Sequence, residues 1–413
     1  MLIHHAVKNR LAHNGDFLKL WSAQTISAIG SKVTFLALPL TAALVLHATP
    51  GEMGYLAAAG SLPALLFGLL AGVWVDRQPR RPLLVLADAG HGLLLLLIPL
   101  AAWVGLLQMR LLYGIIFLNG ALNLLFDAAY HAYLPSLVQR EQLVEANSKL
   151  AISRSAAEIA GPSLAGWLIQ VATAPMAILV DALSFLLSGL FLSRIRQPEP
   201  APIQGEAGGP MWHEMSAGLR LLLNDHTLRA ITASTATVSF FNAALEAIYL
   251  LYMTQHLKLG AGLIGFIFGA GSIGFLVGAL LPNRVVRRWG LGPTMLAGLL
   301  LLALADFILP LATGSLPFVV ALLIAGQVCF GFGLTFYQVS QISLRQAMTP
   351  DHLLGRMNAT LDFVVAGLIP LGALLGGLAG ERLGLRPTLF IAAGGELLAV
   401  LWLLFSPVRS LRE

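Results

Sequence analysis

Apolar residues run along this chain in stretches too long for soluble helices, separated by short polar breaks. In the first half the runs lie near residues 17–46, 54–75, 83–105, 111–137, 151–171 and 175–195. In the second half they lie near 230–254, 261–282, 291–312, 316–341, 358–380 and 386–407. Most match or exceed the roughly 20 apolar residues that a helix needs to cross a bilayer. The pattern predicts twelve spans, all helical, because lipid offers no partner to the backbone groups of an open strand or loop. The first run is longer than the ~7 to 15 apolar residues of a secretory signal and lacks a small-residue cleavage site, so it is expected to be retained. Composition points the same way: 57% of the 413 residues are hydrophobic and 11% charged, and mean hydropathy is +0.80. A globular chain averages about a quarter charged residues.

Charge adds a topology. With both termini in the cytoplasm, the loops and tails on that side hold nineteen Lys and Arg residues. The other side holds four, Arg110, Lys258, Arg382 and Arg386, and Lys32 and Arg154 fall within or at the edge of helices. This is the positive-inside asymmetry of membrane proteins. It reads the sequence pI near 9.6 as contact with anionic lipid rather than with nucleic acid. Cys329 is the single cysteine and cannot form an intrachain disulfide, so cysteine usage leaves the redox compartment open.

Between the sixth and seventh runs, residues 194–230 are rich in proline, glycine and charge and read as a linker. Within it, MWHEMSAGLRLLL has apolar residues at helical spacing and is expected to lie along the cytoplasmic membrane face. The expected organisation is a six-helix bundle over 1–195, a cytoplasmic linker with an amphipathic helix over 196–228, and a second six-helix bundle over 229–413. The halves echo each other. VDRQPRR (75–81) aligns with PNRVVRR (282–288) after the second run of each half, and QREQLVEAN (139–147) with PDHLLGRMN (350–358) before the fifth. Parallel repetition of this kind is seen in transporters built from two six-helix bundles.

On these features the whole chain resembles the major facilitator superfamily. Gly72, Asp76, Arg77, Arg80 and Arg81 fit the family pattern between its second and third helices, although Pro79 stands where glycine is usual. Within the superfamily the chain is similar to a bacterial exporter subgroup that includes macrolide-efflux-like proteins and the enterobactin exporter. LWSAQTISAIGSKVTFLALPL (20–40), ANSKLAISRSAAEIAGPSLAGWLI (146–169) with DALSF (181–185), and RQAMTPDHLLGRMNATLDF (345–363) carry that similarity. The resemblance implies an all-α membrane protein of two pseudo-symmetric bundles, working as a monomer in the cytoplasmic membrane of a bacterium. Its central cavity would be lined by the first, fourth, seventh and tenth helices.

Those four segments carry polar residues inside apolar runs. The fourth has Asn119, Asn123, Asp127, Tyr130 and His131, of which steps of three and four put the first four on one face. The seventh has Asn242, Glu246, Tyr249 and Tyr252. The first has Gln24 and Lys32, and the tenth has Gln327, Tyr337 and Gln338. A charge at mid-bilayer costs at least ~2.5 to 3.5 kcal/mol on insertion scales, so such groups are expected to face water or a partner. Packing between helices is the competing role, above all for the amides. Lys32 is expected to pair with Asp127 or Glu246, and the spacing does not choose between them. One of these acids is expected to carry a proton and the other to contact substrate.

By resemblance, Gly72, Asp76, Arg77, Arg80 and Arg81 form a cytoplasmic latch in which Asp76 meets the N-terminus of the eleventh span. A topogenic and capping role is the plainer alternative. Gly161, Pro162 and Gly166 resemble the kinked fifth-helix motif of exporters, where proline bends the helix and glycine lets a neighbour approach. GLIPLGALLGGLAG (367–380) is its counterpart in the eleventh span. Asp88, His91, Glu158, Asp181, Asp306, Asp362 and Glu396 fall on supporting helices and are expected to pair structurally. The subgroup often has arginine at the position of His91, as partner to the preceding acid.

Enzymatic readings find no support in the motifs. The chain has no GxxxxGK[ST] loop for a nucleotide and no HExxH helix for zinc, and its ten histidines show no metal-ligand spacing apart from the adjacent His4 and His5. Neither cofactor nor metal is expected. The expected function is secondary transport: export of a small amphipathic molecule such as a drug or a siderophore-like metabolite, coupled to protons. Uptake of a small metabolite, and a sensor that keeps the fold without flux, are the alternatives.

Overall fold

The computed structural model describes residues 11, 14–199, 219–220 and 222–411, less the side chains of Leu69, Val73, Asp76, Asn283, Asp351 and His352. The expected amphipathic helix of the linker lies mostly outside these residues, as does the side chain of Asp76. Twelve helices have the length of a span. The first six are α1 (Gly15–Leu40), α2 (Pro50–Asp76), α3 (Arg80–Trp103), α4 (Met109–Leu137), α5 (Leu143–Val171) and α6 (Ala174–Ser193). The second six are α7 (His226–Gln255), α8 (Ala261–Leu280), α9 (Leu291–Asp306, extended by Ile308–Leu311), α10 (Leu316–Met348), α11 (Asp351–Leu383) and α12 (Leu385–Leu404). Among the described residues ten of them are apolar enough to cross a membrane by length and composition. The run of α2 is apolar as well, and α5 carries Glu145, Lys149, Arg154 and Glu158.

Local chemistry sets where the helices begin and end. The side chain of Asn14 accepts from the N–H groups of Asp16 and Phe17, both at 3.1 Å, and Asp225 does the same for Thr227 and Leu228 at 2.8 and 2.9 Å. Each satisfies donors that the first helical turn leaves unpaired. Glycines at φ 71°, 90° and 93° (Gly105, Gly290 and Gly384) turn the chain between spans through a conformation that a Cβ disfavours. Pro39, which has no N–H to give the ladder, lies just before the point where α1 loosens into the π-helical turn Thr41–Val45.

The chain divides into two compact units, Met1–His47 with Leu62–Gly205 and Ala48–Ser61 with Glu206–Glu413. In the first, α1 packs on α5 and α6, and α3 on α4 and α6. Phe17, Leu20, Leu84, Tyr133, Leu137 and Leu192 form its core. In the second, α7 packs on α11 and α12, and α10 on α8 and α9, around Ile231, Met295, Leu299, Tyr337 and Leu403. The beginning of α2 goes with the second unit because small residues let it lie against α11. A Cβ on Gly54 would stand 2.7 Å from the Ala373 carbonyl and 2.9 Å from the Gly377 Cα, and Ala58 clusters with Ala247 and Ala373.

Polarity is arranged inside out. On α3, Leu86, Leu93, Leu97 and Leu100 form an exposed stripe at helical spacing while Asp88 and His91 are buried. On α6, Val180, Leu183, Leu187 and Leu190 are exposed and Asp181, Ser184 and Ser188 are buried. Soluble monomers rarely expose such continuous apolar surface. Facing acyl chains it carries no cost, and the chain is a multi-pass membrane protein.

Candidate functional site

In the first unit the polar face of α4 is narrower than its sequence suggests. Asn123, Asp127 and His131, four residues apart, are exposed along one stripe, whereas Asn119 and Tyr130 are buried. The reason is rotation: residues three positions apart diverge by roughly 60° around a helix of 3.6 residues per turn, and packing places the boundary between them. Asp127 lies within electrostatic reach of His131 on its own helix and of Arg154 on α5. Arg154, which the sequence placed only at a helix edge, is therefore the cation beside this acid.

Lys32 does not pair with Asp127. Its Nζ stands 3.6 Å from Oε1 of Glu158 on α5, which corrects the expected partner and gives Glu158 a role at this face. The pairing follows from close approach of the two helices. A Cβ on Gly161 would press on the stem of Lys32, 3.0 Å from its Cγ, so glycine at this position is what lets Lys32 lie across α5. Pro162 and Gly166 are buried alongside it. The same contact is sealed by Trp21 and Thr25, which donate to the Ser153 hydroxyl at 2.9 and 3.0 Å. His91 does not meet the acid that precedes it. Its Nε2 lies 3.1 Å from the Asn119 carbonyl, and its ring packs on Phe185 with centroids 4.6 Å apart.

In the second unit Glu246 is exposed although Leu245 and Ala247 beside it are buried. No cation acts on it among the described residues. Tyr249, one turn on, is buried and accepts a 2.6 Å hydrogen bond from the Gln327 amide of α10. Asn242 lies on the same stripe of α7, half-buried, beside the carboxyl group of Glu396. Tyr337 serves as interhelical glue: it is buried, and its hydroxyl lies 2.9 Å from Thr235 Oγ1 and 3.3 Å from Ser234 Oγ. Gln338 is exposed on the other side of α10. The structure thus groups Asn242, Glu246, Tyr249 and Gln327 and sets Tyr337 and Gln338 apart. Among the described residues no group of three or more His, Cys, Asp or Glu side chains is placed to hold a metal ion.

Around the loop after α2, Gly72 and Arg77 are exposed. Arg80 and Arg81 give their backbone N–H groups to the Glu199 carboxylate at 2.8 and 2.5 Å. An acid placed on the first N–H groups of α3 both caps it and complements its dipole. The Arg81 guanidinium reaches the end of α6, with Nε donating to the Leu192 carbonyl at 3.2 Å and Nη2 to that of Ser193. Asp16 accepts from the N–H groups of Arg196 and Gln197 at 3.2 and 3.0 Å. The start of the linker is thus stapled across the ends of α1, α3 and α6.

Comparison with known proteins places this arrangement in a family. The profile of the transmembrane secretion effectors matches residues 11–413. The chain is 27% identical over 407 residues to the multidrug efflux pump Tap of Mycobacterium tuberculosis, covering 93% of this chain and 91% of that one. It is 23% identical over 387 residues to macrolide efflux protein A of Streptococcus pyogenes, covering 90% of each. Among solved structures, the nucleoside transporter NupG superposes with a TM-score of 0.81 at 12% identity, over 94% of this chain and 99% of that one. A bacterial homologue of the iron transporter ferroportin in an inward-facing state superposes with a TM-score of 0.76 at 18% identity, over 94% and 98%. At such identities these two structures speak for the twelve-helix fold.

Proposed function

Since the chain belongs to the transmembrane secretion effectors, a family of major facilitator superfamily transporters, we propose that it exports a small amphipathic molecule in exchange for protons. The observation that carries this reading is the position of Asp127 and Glu246, two carboxylates exposed well inside otherwise apolar spans. Apolar surroundings disfavour the ionised form of a carboxyl group, and water or a nearby cation favours it. Alternating access moves one group between those environments, so the group loads a proton from one side and releases it on the other. Glu246, with no cation acting on it among the described residues, is the proton-linked acid. Asp127, within electrostatic reach of His131 and Arg154, contacts substrate together with Asn123.

Relatives named for multidrug and macrolide efflux support a drug-like amphipathic substrate. The basic residues of the loops support a cytoplasmic-membrane location with both termini inside. Arg81, bound to the end of α6, supports a latch at the cytoplasmic ends of the helices in which Gly72, Asp76, Arg77 and Arg80 take part. The close approach of Gly161 to Lys32 of α1, beside the buried Pro162 and Gly166, supports smooth sliding of helices in the transport cycle.

The test is transport in vesicles containing the purified protein under an imposed pH gradient. Wild type is expected to deplete a drug-like substrate from the compartment that matches the cytoplasm, and an Asp127→Asn, Glu246→Gln double variant is expected not to. Undiminished gradient-driven transport by the double variant eliminates the reading. Accumulation in the cytoplasm-matching compartment identifies an importer, and binding without flux a sensor.

A further inference from the structure

The second unit holds a pair of acids that this reading does not use. Asp306, at the end of α9, is 5% exposed, and Glu396, midway along α12, is 0% exposed. Their carboxyl groups face each other, with the Asn242 side chain beside Glu396. Oδ2 of Asp306 and both carboxyl oxygens of Glu396 have no hydrogen-bond partner among the described residues by strict distance and angle. Among the described residues, the titratable groups that act on the pair are each other, Glu246 and Tyr249, with no lysine, arginine or histidine. A cavity of about 10 Å³, the space of a single water molecule, is lined by Asp306 together with Tyr249 and Gln327.

We infer that Asp306 and Glu396 form an internal proton-binding site of the second unit, exchanging one proton with the exposed Glu246. Two ionised carboxylates side by side in a dry interior repel each other and lack the solvent that would stabilise either. Sharing one proton removes one charge and turns an acceptor into the donor that the other carboxylate lacks. The three acids are not spaced as metal ligands, which favours a proton over a divalent cation.

The first unit supplies an internal contrast. It also buries two acids from its third and sixth helices, Asp88 and Asp181. There, Ser184 Oγ donates to Asp181 Oδ1 at 3.1 Å, and Ser188 lies beside Asp88, whose carboxyl oxygens also lack a hydrogen-bond partner among the described residues. What sets the second unit apart is that Asp306 lies within electrostatic reach of Glu246, a third carboxylate that is solvent-accessible. Glu246 thus has a partner to which its proton can pass, and the pair acts as a store within the transport cycle. This role rests on the proton-exchange reading above, whereas occupancy of the pair by a proton does not.

Infrared spectroscopy of the full-length protein in lipid vesicles separates the two. Wild type is expected to show, near neutral pH, a protonated-carboxyl stretching band that shifts in Asp306→Asn and in Glu396→Gln and is lost when both acids are substituted. In vesicles the same variants are expected to lose most gradient-driven transport while keeping substrate flux down its own gradient. A band unchanged in both variants overturns the assignment, as does gradient-driven transport undiminished in both. If the fold fails to form in one variant, the amide substitution at the other acid gives the same reading alone. Wild type that shows the band and its loss on substitution, yet ignores an imposed pH gradient, upholds the proton site and overturns the exchange reading.

Discussion

The ion pair between Lys32 and Glu158 makes the sharpest test of how the first unit is built. Its nitrogen and oxygen are 3.6 Å apart, with side chains 34% and 45% exposed. At that distance Coulomb's law gives about 1 kcal/mol in a water-like dielectric and about 4 to 5 kcal/mol at an effective dielectric of 20. With a third or more of each side chain accessible, screening and the ordering of two long side chains bring the net value toward the lower figure, about 1 kcal/mol. A double-mutant cycle with Lys32→Met and Glu158→Gln, read by reversible unfolding in mixed micelles, is expected to show that coupling. The cycle of Lys32→Met with Asp127→Asn is expected to be additive within about 0.5 kcal/mol, as for residues that share no contact. Coupling of Lys32 to Asp127 as large as its coupling to Glu158 would refute the pairing, and with it the placement of α1 on α5.

Two further outcomes follow from helix ends and helix contacts. Glu199→Ala frees the first N–H groups of α3 and is expected to destabilise the protein by about 0.5 to 2 kcal/mol, seen as a lower midpoint of thermal unfolding and faster amide exchange at Arg80 and Arg81. Gly274→Ala puts a methyl group 2.8 Å from the Cα and carbonyl carbon of Val328. Because backbone yields less than a side chain, a loss toward the upper end of the ~1 to 3 kcal/mol typical of overpacking is expected in the same unfolding assay.

Much of the fold was legible in the order of residues. Apolar runs set the number and placement of the spans, because a helix is the one open-ended form whose backbone satisfies itself in lipid. The charged residues inside the fifth run had no assigned partners, and α5 proved to bring Glu158 to Lys32 and Arg154 within electrostatic reach of Asp127. The polar residues of α4 and α7 were also legible as candidates, since an ionisable group inside an apolar run needs a reason to be there.

The sequence by itself therefore determined which segments cross the membrane and which residue types they carry inward. Partnership was decided by the tertiary structure. Lys32 meets Glu158 because Gly161 lets α1 and α5 touch; Asn119 and Tyr130 turn inward while Asn123 and Asp127 do not; and Asp306 and Glu396, ninety residues apart, come together. Spacing along one helix fixes which side chains share a face, but the rotation of that face within a bundle, and what stands opposite it, depend on how all the neighbouring helices pack.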